Sequence, residues 1–97
     1  MQDLEFKILG KTWLWRHTKL VGRAYGWTIW PEKDTKKKAF KILIDERLKG
    51  KKLLEVQIHE FTHAACPFLS EEHVTVQGRD LSTILWSLGY RLQKEPE

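Results

Sequence analysis

The chain has 97 residues, of which 41% are hydrophobic and 31% are charged, a composition typical of one globular domain. Its formal net charge of +4 favours anionic partners, and its single cysteine, Cys66, excludes an intramolecular disulfide. No apolar run reaches the roughly 18 residues of a membrane span, and the acidic start at residues 1–5 is unlike a signal peptide. We therefore expect one soluble, cytoplasmic domain over residues 1–97, with no membrane partner.

The first half of the chain, residues 1–47, predicts mainly strands. Residues 4–8 alternate apolar and charged side chains with the period of a half-buried strand. A turn then leads to a second strand at 12–16, which would return as the other half of a hairpin. Helical spacing of several side chains leaves a short helix at 13–20 as the alternative.

Two further strands precede the helical part of the chain. One is predicted within residues 22–30 and ends at Pro31, because the residue before a proline is pushed into extended geometry. A polar, charged loop at 31–38 leads to a strongly apolar strand at 39–45. Strands grouped before helices predict an α+β fold, with a small antiparallel sheet of about three strands covered on one face by two antiparallel helices.

The central motif lies on the first of these helices, predicted at residues 51–66 and stopped by Pro67. His59, Glu60 and His63 stand there in the spacing His-Glu-x-x-His. Residues four apart share a helix face, so two imidazoles lie side by side with a carboxylate next to them. Two neutral imidazoles can bind zinc, and the carboxylate can accept a proton from a coordinated water. This pattern is the signature of zinc hydrolases, with a chance match on a surface helix as the alternative.

A third metal ligand is expected from the second helix, predicted at 70–89. A catalytic zinc commonly has three protein ligands, and the short connector places the start of this helix near the end of the motif helix. Glu71 shares the face that Val74 turns inward, so it is the favoured ligand. Glu72 and His73, which rotate away from that face, are the alternatives.

The His-Glu-x-x-His motif followed by a glutamate on the next helix resembles the gluzincin class of zinc metallopeptidases. The short gap from His63 to Glu71 is more similar to minimal gluzincin-type domains, including small phage-encoded proteins and the peptidase domains related to the ImmA/IrrE group. The resemblance covers roughly residues 39–91. Besides the motif it is carried by Ile42-x-Ile44-Asp45, Leu54-x-x-x-Ile58, Glu71-x-x-Val74 and Leu85-x-x-Leu88-Gly89-Tyr90-Arg91.

The resemblance implies a zincin-like fold, one Zn²⁺ ion, Glu60 as general base, and hydrolysis of a peptide or protein substrate. If the chain is phage-encoded, the expected compartment is the host cytoplasm. We also expect the strand at 40–44 to dock an extended substrate by edge pairing. Gln77 and Asp80 are candidates to orient the two histidines by hydrogen bonds. For Asp80 a pair with Arg79 or contact with solvent is the favoured alternative.

A different class of function is left open by the first third of the chain. Tryptophans between basic residues can stack on bases and hold phosphates, although filling a small core is the commoner use. The tryptophans in question are Trp13, Trp15, Trp27 and Trp30. Cys66 could also complete a closed structural metal site. The alternative is therefore a non-catalytic, zinc-stabilised binding module that contacts nucleic acid through its basic, Trp-rich N-terminal half.

Overall fold

The computed structural model describes residues 2–31 and 39–93 as four strands followed by two helices. The elements are β1 (Leu4–Ile8), β2 (Lys11–Thr18), β3 (Gly26–Ile29), β4 (Phe40–Asp45), α1 (Gly50–Ala65) and α2 (Glu71–Ser87). The α+β class predicted from the sequence is confirmed. The polar loop predicted at 31–38 lies outside the described residues, except for Pro31.

The first two strands form a hairpin joined by a two-residue turn. Ile8 pairs with Lys11, and the two turn residues, Leu9 and Gly10, have φ of 49° and 78°. Positive φ at both central positions matches the turn type whose twist suits antiparallel strands. The alternative of a helix at 13–20 is wrong, because the aromatic and β-branched side chains there pack on a pleated surface between two neighbouring strands.

The sheet is mixed, with the strand order β1-β2-β4-β3. Strand β4 inserts between β2 and β3 and runs parallel to β2, whereas the other two pairings are antiparallel. The prediction of a purely antiparallel sheet with about three strands is therefore wrong. Edge pairing of a substrate with residues 40–44 is also wrong, because β4 already pairs on both sides. The near-continuous apolar run of β4 reflects this central position.

The core lies between the sheet and α1, which packs against β3 and β4. It is formed by Ile8, Trp13, Ile42, Ile44, Leu53, Val56 and Ala64. Helix α2 packs on the other side of α1. Its Gly78, which has no side chain, lies against Glu55 and His59 of α1. Because α1 is held between β3 and α2, its motif residues can face both neighbours.

The tryptophans divide between the core and the surface. Trp13 is 2% exposed and belongs to the core, whereas Trp27 is 53% exposed and Trp30 is 38% exposed. The interpretation that these side chains fill a small core therefore holds for Trp13 and not for Trp27. Within the described residues, neither helix has both the length and the apolar composition needed to cross a membrane.

Candidate metal centre

Helix α1 places two imidazoles together one turn apart. The Nε2 atoms of His59 and His63 lie 3.2 Å apart, and each side chain is 21% exposed. This follows from the helical repeat, which stacks residues four apart on the same face. The sequence predicts a helix at 51–66, and α1 begins and ends one residue earlier. Its last turn carries His63, and Pro67 follows two residues after its end.

Helix α2 brings a carboxylate to the same point. It begins at Glu71, and its N-terminal cap is Ser70, whose Oγ accepts a hydrogen bond from the backbone N–H of His73 at 3.1 Å. Glu71 Oε1 lies 2.9 Å from His59 Nε2, and Oε2 lies 2.7 Å from His63 Nε2. Val74, on the same face of α2, is fully buried. The short connector and this helix phase therefore direct Glu71 towards the two histidines.

The donor set of this cluster fits a metal ion. His59, His63 and Glu71 each offer one ligand atom, and these atoms all lie within 4.8 Å of one another. A carboxylate oxygen accepts hydrogen bonds only, as does an unprotonated imidazole nitrogen, so their convergence calls for a proton or a cation between them. Around a tetrahedral ion with bonds of about 2.0–2.1 Å, neighbouring ligand atoms lie about 3.3 Å apart. The 3.2 Å between the two imidazole nitrogens agrees with that spacing.

Glu60 turns towards the sheet instead of joining the cluster. It is only 7% exposed, and Thr28 Oγ1 on β3 lies 2.8 Å from its Oε1 and 2.9 Å from its backbone carbonyl oxygen. Burial raises the pKa of the Glu60 carboxyl, and the hydrogen bond from Thr28 counteracts part of that rise. The electrostatic influence of His59 and His63 acts in the same direction as Thr28, whereas the nearby carboxylate of Glu71 acts with burial to raise the pKa of Glu60. Glu60 is thus a buried carboxyl group close enough to the cluster to feel its charges.

The contact between Glu60 and β3 depends on a glycine. A Cβ added to Gly26 would lie 2.7 Å from Glu60 Cγ and 3.0 Å from Oε2, which is closer than non-bonded carbon and oxygen atoms can approach. Neither Gly26 nor Thr28 was predicted as a site residue. Their contacts with Glu60 join residues more than thirty positions apart, and no local spacing in the sequence indicates them.

A cleft of about 290 Å³ opens beside the cluster. Its walls come from the segment before β3, the N-terminal half of α1 and the start of α2, and they include Tyr25, Lys52, Glu55 and Thr75. The Lys52 ammonium lies 4.9 Å from the centre of the Tyr25 ring and 3.4 Å from Glu55 Oε2. The cleft gives a ligand access to His59, Glu60 and Glu71 from one side.

The other predicted site residues lie elsewhere. Glu72, His73, Gln77 and Asp80 line a separate groove along α2, which does not include either histidine of the motif. Cys66 is half-buried and does not belong to the cluster. Among residues 2–31 and 39–93, no fourth histidine, cysteine or acidic side chain joins the three ligand candidates.

No family model, no curated protein and no solved structure matches this chain.

Proposed function

We propose that the chain is a zinc-dependent metallopeptidase of gluzincin type, with His59, His63 and Glu71 as metal ligands and Glu60 as general base. The observation that carries this proposal is the convergence of two imidazoles and one carboxylate beside a second, buried acid, Glu60, which is not part of the ligand set. Three protein ligands are the number that catalytic zinc sites use when one position is kept for water.

The residues around the ion have separate tasks in this proposal. When bound, zinc supplies Lewis acidity and lowers the pKa of a water molecule in its coordination shell to about 7. Glu60 accepts the proton of the attacking water and later donates it to the leaving amine. Thr28 holds one oxygen of the Glu60 carboxylate, which leaves the other oxygen, Oε2, for proton transfer.

The substrate would lie along β3 in this proposal. Strand β3 is an edge strand of the sheet, and its Gly26 and Thr28 contact Glu60. An extended peptide that pairs with the outer edge of β3 would pass Glu60 and the cluster. This role replaces the one that we expected of residues 40–44, which lie in the interior of the sheet.

Zinc content and proteolysis test the proposal together. We expect the purified chain to bind one zinc ion and to cleave casein or a peptide library, and a chelator should abolish cleavage. Glu60→Gln should retain the zinc and lose cleavage, because the amide cannot accept the proton. Glu72→Gln is the matched control, since this neighbouring glutamate faces the other groove.

The outcomes separate the two functions considered for this chain. Absence of zinc binding would contradict the metal site itself. Zinc binding without cleavage, together with a fourth protein ligand in a metal-bound structure, would instead support a zinc-stabilised binding module.

A further inference from the structure

The outer edge of β1 is the second edge of the sheet, far along the strand order from the metal centre. Among the described residues no strand pairs with it. Helix α1 packs against β3 and β4, so the apolar face of β1 is only partly covered. Leu4 and Phe6 are each 44% exposed. They border an apolar groove of about 570 Å³ between β1, β2 and the two helices, in which Trp15, Phe61 and Leu81 also take part.

The two-residue turn determines which backbone groups β1 offers at its edge. In such hairpins the residues that flank the turn form a hydrogen-bonded pair, and hydrogen-bonded pairs then alternate along the strands. Ile8, Phe6 and Leu4 therefore bond to β2 through their backbone groups. Glu5 and Lys7 direct their N–H and C=O groups outward, and both residues are exposed. Unpaired groups of this kind form a template for another strand.

The side chains of β1 are complementary to a second copy of the same strand. In an antiparallel pair centred on Phe6, Glu5 faces Lys7 of the other copy, and Lys7 faces its Glu5. Centring the pair on Glu5 or on Lys7 instead would place two Glu5 or two Lys7 side chains directly opposite each other, which is destabilising. A pair centred on Glu5 would also place Asp3 opposite Lys7, but Asp3 already forms an ion pair with Arg16 in its own chain. We propose that two copies of this chain associate through β1 in an antiparallel pair centred on Phe6, which joins the two four-stranded sheets into one.

This arrangement also gives the outward backbone groups of β1 hydrogen-bond partners and covers its exposed apolar side chains. The pairs formed by Glu5 and Lys7 are the hydrogen-bonded ones, since these residues direct their backbone groups outward. The two Phe6 residues form a non-hydrogen-bonded pair at the symmetry axis, with Cα atoms about 4.5 Å apart and side chains close together. Each Phe6 ring already contacts Trp15 edge-on at 5.7 Å. The second copy would therefore cover the exposed faces of Phe6 and Leu4 that water contacts in the single chain.

Charge reversal tests the register. The wild-type chain should sediment as a dimer in a concentration series. Glu5→Lys and Lys7→Glu should each raise the dimer dissociation constant by at least about tenfold, because each change turns two pairs of opposite charge into two pairs of like charge. The double variant E5K/K7E should dimerise like wild type, because the exchange restores both opposite pairs. A mixture of the two single variants should form the mixed dimer, since one carries only positive and the other only negative charges at these positions.

A cross-link tests the axis with a different readout. In a Cys66→Ser background, Phe6→Cys should form an intermolecular disulfide on oxidation, since a Cα separation of about 4.5 Å is within disulfide range. Leu4→Cys is the control, because its two copies would lie about 14 Å apart in this register. A wild-type chain that stays monomeric at millimolar concentration would overturn the proposal. So would a dimer that the single charge reversals leave unchanged, or equal cross-linking at positions 4 and 6.

Discussion

In the proposed role of general base, Glu60 must meet two requirements that conflict in an isolated carboxylate. Burial favours its neutral form and raises its pKa, whereas a general base must be able to accept a proton and therefore be ionised beforehand. Thr28 reconciles the two, because its hydroxyl donates a hydrogen bond to Oε1 at 2.8 Å and stabilises the charged form. The same hydroxyl lies near the Glu60 backbone and so ties β3 to this turn of α1.

Replacing Thr28 tests this role at the scale of one hydrogen bond. Thr28→Val removes the donor while keeping the shape of the side chain, so we expect turnover to fall about tenfold, or roughly 1–2 kcal/mol in the barrier. Zinc affinity should be unchanged, since Thr28 is not in the ligand cluster. Thr28→Ser should restore most of the activity. Equal loss in the valine and serine variants would point to packing instead of hydrogen bonding.

The residues of the cluster could be predicted from the sequence because their relations are local. His59 and His63 are related by one helical turn, and the short connector leaves Glu71 little freedom of position. Thr28 and Gly26 could not be predicted in this way. Their positions depend on which strand of the sheet comes to lie beside α1, and no periodic pattern in either segment carries that information.

At the scale of elements, α1 approaches its two neighbours differently. Against β3 the fit is tight, because a Cβ at Gly26 would lie 2.7 Å from Glu60 Cγ. Against α2 there is room, because a Cβ at Gly78 would lie 3.6 Å from the Glu55 carbonyl oxygen and 3.7 Å from His59 Cα, which is ordinary contact. An added methyl group should therefore lower the stability of the fold at Gly26 but not at Gly78.

Two matched substitutions measure that difference. Gly26→Ala should destabilise the chain by about 1–3 kcal/mol and displace Glu60, because the methyl group overlaps its side chain. Gly78→Ala should be neutral or stabilise by up to about 1 kcal/mol, since alanine favours the helix interior. Urea unfolding monitored by tryptophan fluorescence gives both values. Equal destabilisation by the two changes would contradict the tight contact at β3.

The junction between β4 and α1 is secured by a buried carboxylate. Asp45 is 3% exposed and accepts hydrogen bonds from the side chain and the backbone N–H of Arg47, whose guanidinium also donates to the Leu20 carbonyl. The Arg47 guanidinium lowers the pKa of the Asp45 carboxyl, so the folded chain favours its charged form. The contribution to stability is therefore present above the ordinary carboxyl pKa of 3.8 and is lost as the pH falls through the lower, folded-state value.

Asp45→Asn should accordingly reduce the free energy of unfolding at pH 7 by about 1.5–3 kcal/mol. The difference from wild type should shrink as the pH falls below the ordinary carboxyl pKa of 3.8 and on through the lower, folded-state value, where Asp45 of the folded chain takes up a proton. Asp3→Asn is the control, because the ion pair of Asp3 with Arg16 is exposed and exposed pairs contribute little. Urea unfolding at several pH values makes the comparison. A pH-independent loss in Asp45→Asn would contradict this account.

At the scale of the whole molecule, sequence patterns described the elements better than their arrangement. Alternation and turn residues favoured the hairpin. The motif spacing and Pro67 indicated α1, and the face shared by Glu71 and Val74 indicated α2. The insertion of β4 between β2 and β3 is a long-range choice. It depends on which edges of β2 and β3 are unpaired when β4 joins the sheet. The apolar run of β4 was compatible with either an edge or a central position.

A chain of this size buries a modest core, so a bound ion should contribute measurably to stability. Zinc at 100 times its dissociation constant should add about 2.7 kcal/mol, or roughly 10–20 °C in Tm. Glu71→Gln should lose most of this shift, whereas Glu72→Gln should keep it. Calorimetry with and without zinc measures both, and an equal shift in the two variants would contradict Glu71 as a ligand.

Helix α2 packs chiefly against α1, and its first residue supplies one of the three ligand candidates. The cluster therefore joins the first residue of α2 to the side of α1. A swing of α2 about its connector would withdraw Glu71 while leaving the hairpin and the sheet folded. If the cluster holds an ion as proposed, the ion would bind and leave through this local opening, and the rates of both steps should follow hydrogen exchange in α2 more closely than global unfolding.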